Sequence, residues 1–244
     1  MSTLRVIVDG PLPGAINMQK DEDLLKVHRP GDAPILRFYR WAPPAVSFGY
    51  HQNANDFDQI TISQHGYGLV RRPTGGRAIL HADELTYAVV GSSPSDLFGF
   101  TLHEAYMTIN RSLLMFLGQL GIQADISAGE SREAMRDLVC FQSAGQHEIS
   151  VGGKKLIGSA QRRTRGVFLQ HGSILTGPGH ADLVFFLKEE SSQLSKREEL
   201  LSATTHLGSL LNQEIGEADF HTFAQLLTTA FCNSLGLEAD REAP

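Results

Sequence analysis

Cysteine is scarce in this 244-residue chain, which holds two, Cys140 and Cys232. They show neither the close spacing of a zinc site nor the dense, even pattern of a disulfide framework. No apolar run is long enough to cross a membrane. The opening residues, MSTLRVIVDG, lack the hydrophobic core of a signal peptide. A cytoplasmic protein with no membrane partner is the expectation. No Pro/Gly/Ser linker, repeat or low-complexity tract divides the chain. Residues 1–244 are therefore expected to form one domain, ending in a frayed polar tail at 237–244. Positive charge is in the minority, 21 Lys and Arg against 27 Asp and Glu, a net charge of −6. That balance argues against nucleic-acid binding.

The cations that are present cluster. Arg71, Arg72 and Arg77 crowd Gly75-Gly76 in the segment VRRPTGGRAILHADELTYAVV, with His81 close behind. The pattern predicts strand, glycine turn, strand, since a Gly-Gly pair permits positive φ and close backbone approach. Such a segment is either a site for an extended, partly anionic small molecule or a plain hairpin with a basic, solvated face. A second block, HEISVGGKKLIGSAQRRTRGVFLQHGSIL, starts at His147. Residues 147–151 alternate like a strand, and Gly152-Gly153 is a hairpin signal. Residues 155–159 and 167–175 predict two more strands, joined by a basic segment with Arg162, Arg163 and Arg165. Alternation after the turn puts Lys154 and Lys155 on opposite faces, so one of them points inward.

Elsewhere, residues 4–8 predict a strand and 15–27 a helix after a Pro-rich loop. Residues 35–41 and 45–48 predict strands, and 56–64 a short helix ended by Gly66 and Gly68. Ile109, Leu113, Phe116, Leu117 and Leu120 form one face of a helix over 102–120. Phe220, Phe223, Leu226, Leu227, Ala230 and Phe231 mark the last helix. Strands in hairpins with helices before, between and after them argue an α+β class.

The segments RRPTGGRAILH, GGKKLIGSAQRR and LQHGSIL together resemble the lipoate-protein ligase and octanoyltransferase family, whose catalytic domain is shared with biotin protein ligases. LRFYRWAPPAVSFGYHQ and GAINMQKDEDLL resemble that family's early strand pair and first helix. The resemblance spans roughly residues 5–235 and implies a mixed, largely antiparallel sheet flanked by helices.

Cys140 on its own is either a small buried hydrophobe or a nucleophile. The resemblance implies the second. Cysteine-dependent octanoyltransferases of this family carry a Cys-Phe pair upstream of a Glu-Ile strand and a Gly-Lys-Lys hairpin. Cys140-Phe141, Glu148-Ile149 and Gly153-Lys154-Lys155 keep that order. The resemblance also implies that Lys155 lies in the acyl pocket and that Arg72, Gly75, Gly76, His81, Gly158, Ser159, Ala160, His171 and Gly172 bind substrate. An ammonium there can lower a thiol pKa from about 8.5 or stabilise an oxyanion, whereas a desolvated neutral lysine can accept a proton. Neither His81 nor His171 is given a proton-transfer role. His147 is either a base, if the preceding segment folds back, or an exposed strand end. Cys232 is expected to pack.

The implied reaction is transfer of an octanoyl group from octanoyl-acyl carrier protein, through an S-acyl cysteine, to the target lysine of a lipoyl domain. The glycine cleavage H protein and 2-oxoacid dehydrogenase E2 subunits are the implied acceptors. No cofactor or metal is expected, because a thioester is already activated. An ATP- and Mg²⁺-dependent lipoate ligase is the alternative, although the chain ends soon after its last helix and full ligases commonly add a C-terminal domain. An amidotransferase moving acyl groups between lipoyl domains would use the same cysteine. An octanoyltransferase with its cysteine downstream of the His-Gly motif fits poorly, since Cys232 is the next cysteine.

Overall fold

The structure, a computed structural model, describes residues 3–127, 147–188 and 193–241. Among the described residues, eleven strands form two sheets. The larger is built from β1 (Thr3–Leu12), β2 (Ile35–Trp41), β6 (Glu84–Ser92), β7 (Asp125–Ile126), β8 (Ile149–Val151), β9 (Lys154–Thr164), β10 (Val167–Leu175) and β11 (Glu238–Arg241), in the order β11-β1-β2-β6-β10-β9-β8-β7. Its pairings are antiparallel except at β1, which runs parallel to both β2 and β11. The smaller sheet has β3 (Ala45–Phe48) between β4 (Gly68–Arg71) and β5 (Ile79–His81). The mixed, largely antiparallel α+β architecture is the one expected.

Both faces of the larger sheet are covered, so its central strands are buried along their length. Leu36, Phe38, Tyr87 and Val89 face one cluster, packed by α3 (Leu102–Gln119) and α6 (Glu217–Leu235). Ile35, Tyr39, Trp41, Ala88 and Val90 face the other way, beneath α1 (Gly14–Val27). Helix α3 starts where its capping box dictates: Thr101 Oγ1 accepts from Glu104 N–H at 3.1 Å, and Glu104 accepts from Thr101 N–H at 2.8 Å. The small sheet packs with a 3₁₀ segment, Gly179–Phe186, and with Leu200 of α4 (Gln193–Ala203).

Several expectations need correction. The segment around Gly75-Gly76 is not a hairpin. β4 pairs parallel and β5 antiparallel with β3, on its two sides, so the glycines lie in a crossover past the end of β3. The basic segment after Ser159 is not a loop either. β9 continues through Arg162 and Arg163 to Thr164, and the turn is Arg165-Gly166, at φ 50° and 79°. β1 runs on through Pro11 to Leu12. The polar tail is not frayed at Glu238–Arg241, which pairs with β1 from Thr3↔Glu238 to Val6↔Arg241. Backbone pairing at a sheet edge does not need apolar side chains, so polarity alone gave no sign of it.

Beneath α1, Arg37 is fully buried among polar partners. Its Nε donates to Asp9 and its Nη1 to Asp21, each at 2.6 Å, and its Nη2 donates to Asn17 Oδ1 at 2.8 Å. Burial pushes both carboxyls up. Hydrogen bonds from His171 and Tyr39 and the Arg37 charge hold Asp21 below the ordinary 3.8, and bonds from Lys20 and Arg37 do the same for Asp9. Stability from these two groups is thus complete above their unfolded pKa and is lost as pH falls through the lower folded values.

Arg37→Met should cost about 3–5 kcal/mol at pH 7, because it leaves Asp21 buried without its cation. Without that cation the Asp21 folded pKa rises above its unfolded value, so protonation relieves the variant. Urea denaturation should therefore find the gap to wild type narrowing below about pH 4. A gap independent of pH would show that the ion pair is not what Arg37 contributes.

Candidate active site

A cavity of about 60 Å³ lies between the α1 face of the larger sheet and the smaller sheet. Met18, Tyr39, Trp41 and Ile79 give it apolar walls, and Ser47, Thr86 and Ser173 add hydroxyls. A larger open cleft of about 680 Å³, bounded by Asp83, His206, Glu214 and Phe220, contains none of the substrate residues expected from sequence.

The expected residues converge on the smaller cavity. Arg72, Gly76, His81, Gly158, Ser159, Ala160, His171 and Gly172 all line it. Gly158, Ser159 and Ala160 of β9 pair with Ser173, Gly172 and His171 of β10, which brings two sequence-distant motifs side by side. Gly172 has to be glycine, since a Cβ there would come within 2.6 Å of the Tyr87 ring and 2.7 Å of Ser159 Oγ. Gly75 acts through its carbonyl, which accepts from Arg72 Nε at 3.1 Å and Nη2 at 2.8 Å.

Arg72 is buried, not part of a solvated basic face. Its Nη2 also donates to Arg77 O at 2.6 Å, and its Nη1 to Ser47 O at 3.2 Å. Residues 72–77 therefore wrap around one guanidinium, and this is why the chain crosses over where a hairpin was expected. Gly49 packs beneath this loop: a Cβ on it would lie 1.9 Å from Gly76 O. A groove of about 250 Å³, lined in part by Tyr50, Arg71 and Arg162, shares Met18 and Arg72 with the cavity.

His171 Nδ1 meets Asp21 Oδ2 at 3.0 Å and its Nε2 meets Thr74 Oγ1 at 2.6 Å. His81 makes a similar pair of contacts, with Glu84 Oε1 at 2.8 Å and Ser47 Oγ at 2.7 Å. Both of its ring nitrogens are engaged. Burial pushes the His81 pKa down. The Trp41 indole stacks on it with centroids 3.8 Å apart and planes 7° apart.

Lys155 is buried while Lys154 is exposed, as strand alternation requires. Its ammonium pairs with the buried Glu148 carboxylate. Lys155 is not itself a lining residue of the cavity; it stands three positions before Gly158 on the same strand. Cys140 lies outside the described residues. His147 has φ 74° and is half-buried, with its ring beside those of His103 and Tyr106. Cys232 packs against the α3–α6 cluster, as expected. Among the described residues, no group of three or more His, Cys, Asp or Glu is placed to hold a metal.

Sequence reasoning missed Asp21, Arg37, Ser47, Thr74, Glu84 and Glu148. For two of them a signal was available: Arg37 interrupts an otherwise apolar strand, ILRFYRW, and Asp21 lies on the buried stripe with Met18 and Leu25.

The model of the lipoyl protein ligase A/B catalytic domain matches residues 13–232. Octanoyltransferase LipM of Moorella thermoacetica is 39% identical over 218 residues, 88% of this chain and 79% of the relative. Octanoyltransferase LipM of Geobacillus kaustophilus is 40% identical over 201 residues, 79% of this chain and 72% of the relative. Among solved structures, lipoate-protein ligase A bound with ATP is 26% identical with a TM-score of 0.76, covering 99% of this chain and 90% of that one. Ta0514, a putative lipoate protein ligase of Thermoplasma acidophilum with bound lipoic acid, shares the fold at a TM-score of 0.76 and 24% identity, covering 98% and 89%.

Gly49→Ala should destabilise the protein by about 1–3 kcal/mol through overpacking against the 72–77 loop. Thermal melts of the variant and wild type test this, and an unchanged melting temperature would mean that the loop yields without cost.

Proposed function

The chain belongs to the lipoyl protein ligase A/B catalytic-domain family, and from that premise we propose that it moves an octanoyl group from octanoyl-acyl carrier protein, by way of an S-octanoyl cysteine, to the target lysine of a lipoyl domain. The chain is an acyltransferase, and the named octanoyltransferases among its relatives support octanoyl transfer in lipoate biosynthesis. The observation that carries the finer reading is the buried pair of Glu148 with Lys155, the latter on the strand that supplies the cavity wall. It keeps one lysine out of water beside the acyl cavity.

In the first half-reaction the Cys140 thiolate attacks the thioester carbonyl. The tetrahedral intermediate collapses with loss of the carrier's sulfur, which leaves as a thiol after taking a proton. In the second, the acceptor lysine's neutral amine attacks the S-octanoyl group, an amide forms, and the cysteine thiol is restored. Lys155, ion-paired with Glu148, acts as a cation that favours the thiolate and the developing oxyanion. The glycines let the backbone approach the acyl chain closely. Arg72, His81 and His171 shape the cavity and take no proton, because each is already committed to hydrogen bonds.

ATP-dependent ligation is the competing reading, favoured by the likeness to the ATP-bound ligase structure over nearly the whole chain. The two separate in one experiment. Intact-protein mass after incubation with octanoyl-acyl carrier protein, without ATP, should rise by about 126 Da in wild type and stay constant in Cys140→Ser. Lipoyl-domain modification that appears only with ATP, Mg²⁺ and free acid would establish the ligase instead. Lys155→Ala should slow acylation by about 10²–10³-fold while keeping native circular dichroism. Near-normal turnover in that variant would remove Lys155 from the mechanism.

A further inference from the structure

A carboxylate can only accept hydrogen bonds, and this fixes the direction of a chain of them along the cavity wall. Burial works against the charge on Glu84, but the neighbouring His81 and the Thr86 hydroxyl hold it below the ordinary carboxylate value. Oε1 takes the Nδ1 proton of His81 at 2.8 Å. In the neutral ring Nε2 is then an acceptor, so the Ser47 hydroxyl donates to it at 2.7 Å. The Ser47 oxygen in turn accepts from Arg72 Nη1 at 3.3 Å. Arg72 holds the carbonyls of Gly75 and Arg77 with its remaining nitrogens. Donation thus runs one way, from the Arg72 cation through Ser47 and His81 to the Glu84 anion. The Trp41 indole stacks on His81 and donates to Thr86 Oγ1 at 2.8 Å, and the Thr86 hydroxyl donates to Glu84. Two separate branches of the wall end on one buried carboxylate.

We propose that Glu84 is a positioning residue of the acyl cavity: it sets His81 as the Nδ1–H tautomer and, through Ser47 and Arg72, fixes the 72–77 loop against the cavity. Glu84 does not line the cavity, so it acts only through these neighbours. The Nδ1–H form is the less favoured tautomer of a free imidazole, which makes the assignment sharp. Without the carboxylate, Nδ1–H would be left with only the Ser173 hydroxyl oxygen, at a long 3.5 Å, as acceptor. The ring would then move its proton to Nε2, facing Ser47. Ser47 would have to turn its own hydroxyl away and would set two donors, His81 and Arg72, on its oxygen. The loop end of the chain would loosen, and with it the wall that receives the acyl group.

The kinetic consequence rests on the octanoyl-transfer reading, but the tautomer does not, so the two fail separately. Two-bond ¹H–¹⁵N correlation spectra of the free protein should show His81 with the Nδ1–H pattern in wild type and in Glu84→Gln, whose amide oxygen still accepts. Glu84→Leu should show Nε2–H. In octanoyl transfer, KM for the octanoyl donor should rise on the order of tenfold in Glu84→Leu, as expected for loss of a buried hydrogen bond. Its kcat should change less than twofold, and Glu84→Gln should recover most of the affinity. An Nε2–H signal for His81 in wild type overturns the proposal, and that measurement needs no variant to fold. Retention of Nδ1–H in Glu84→Leu also overturns it, as does a fall in kcat with KM unchanged. A wild type with no octanoyl turnover would end the transfer reading, and the tautomer spectra would still decide the role of Glu84.

Discussion

Arg37 has no solvent exposure, and its guanidinium ties β2 to both β1 and α1. It sits on β2, reaches Asp9 on β1, and reaches Asn17 and Asp21 on α1. Asp21 passes the connection on. It accepts from Tyr39 at 2.7 Å and contacts His171 of β10, whose other nitrogen meets Thr74 in the crossover loop. One buried cation therefore fixes the position of α1 over the sheet and, through two further residues, the position of the glycine loop. Charges this deep are tolerated only when each has partners, so the network constrains sequence at seven positions at once. An apolar interface would tolerate sliding, whereas this one has a single register.

The cavity repeats the same device. A buried carboxylate, an imidazole and a hydroxyl occur in series twice, as Asp21–His171–Thr74 and as Glu84–His81–Ser47. Each series ends at the crossover between β4 and β5 or at the strand beside it. The polar atoms of the wall are thus committed to one another, so an apolar group could lie against them without leaving these donors unpaired. The buried Lys155–Glu148 pair lies outside this wall, Lys155 near the start of β9 and Glu148 just before β8.

The family resemblance rested on short segments that the fold gathers into one place. RRPTGGRAILH supplies the loop and one imidazole, GGKKLIGSAQRR the β9 wall and Lys155, and LQHGSIL the β10 wall. Alternation correctly put Lys154 and Lys155 on opposite faces, and the resemblance, not the alternation, named Lys155 as the inward one. Local pattern failed where the chain's partner was distant in sequence. Gly75-Gly76 has the local signature of a hairpin, yet β3, more than twenty residues earlier, inserts between the strands that flank it. Glu238–Arg241 has the composition of a loose end, yet β1 offers it a free edge.

What the sequence alone determined is the periodic part of the protein. Helix faces, strand alternation and the Gly152-Gly153 turn follow from residue type and spacing, because the forces that set them act over a few neighbouring residues. The α+β class followed from their order. What only the tertiary structure decided is which charged groups are buried and with whom. Glu84 and Glu148 look like ordinary surface charges in the linear chain, and Arg37 and Asp21 stand out only by sitting among apolar positions. Each is kept below the surface by a partner brought in from another element. Desolvating a charge is unfavourable until that partner arrives, so its burial is a property of the assembled fold and not of any local segment.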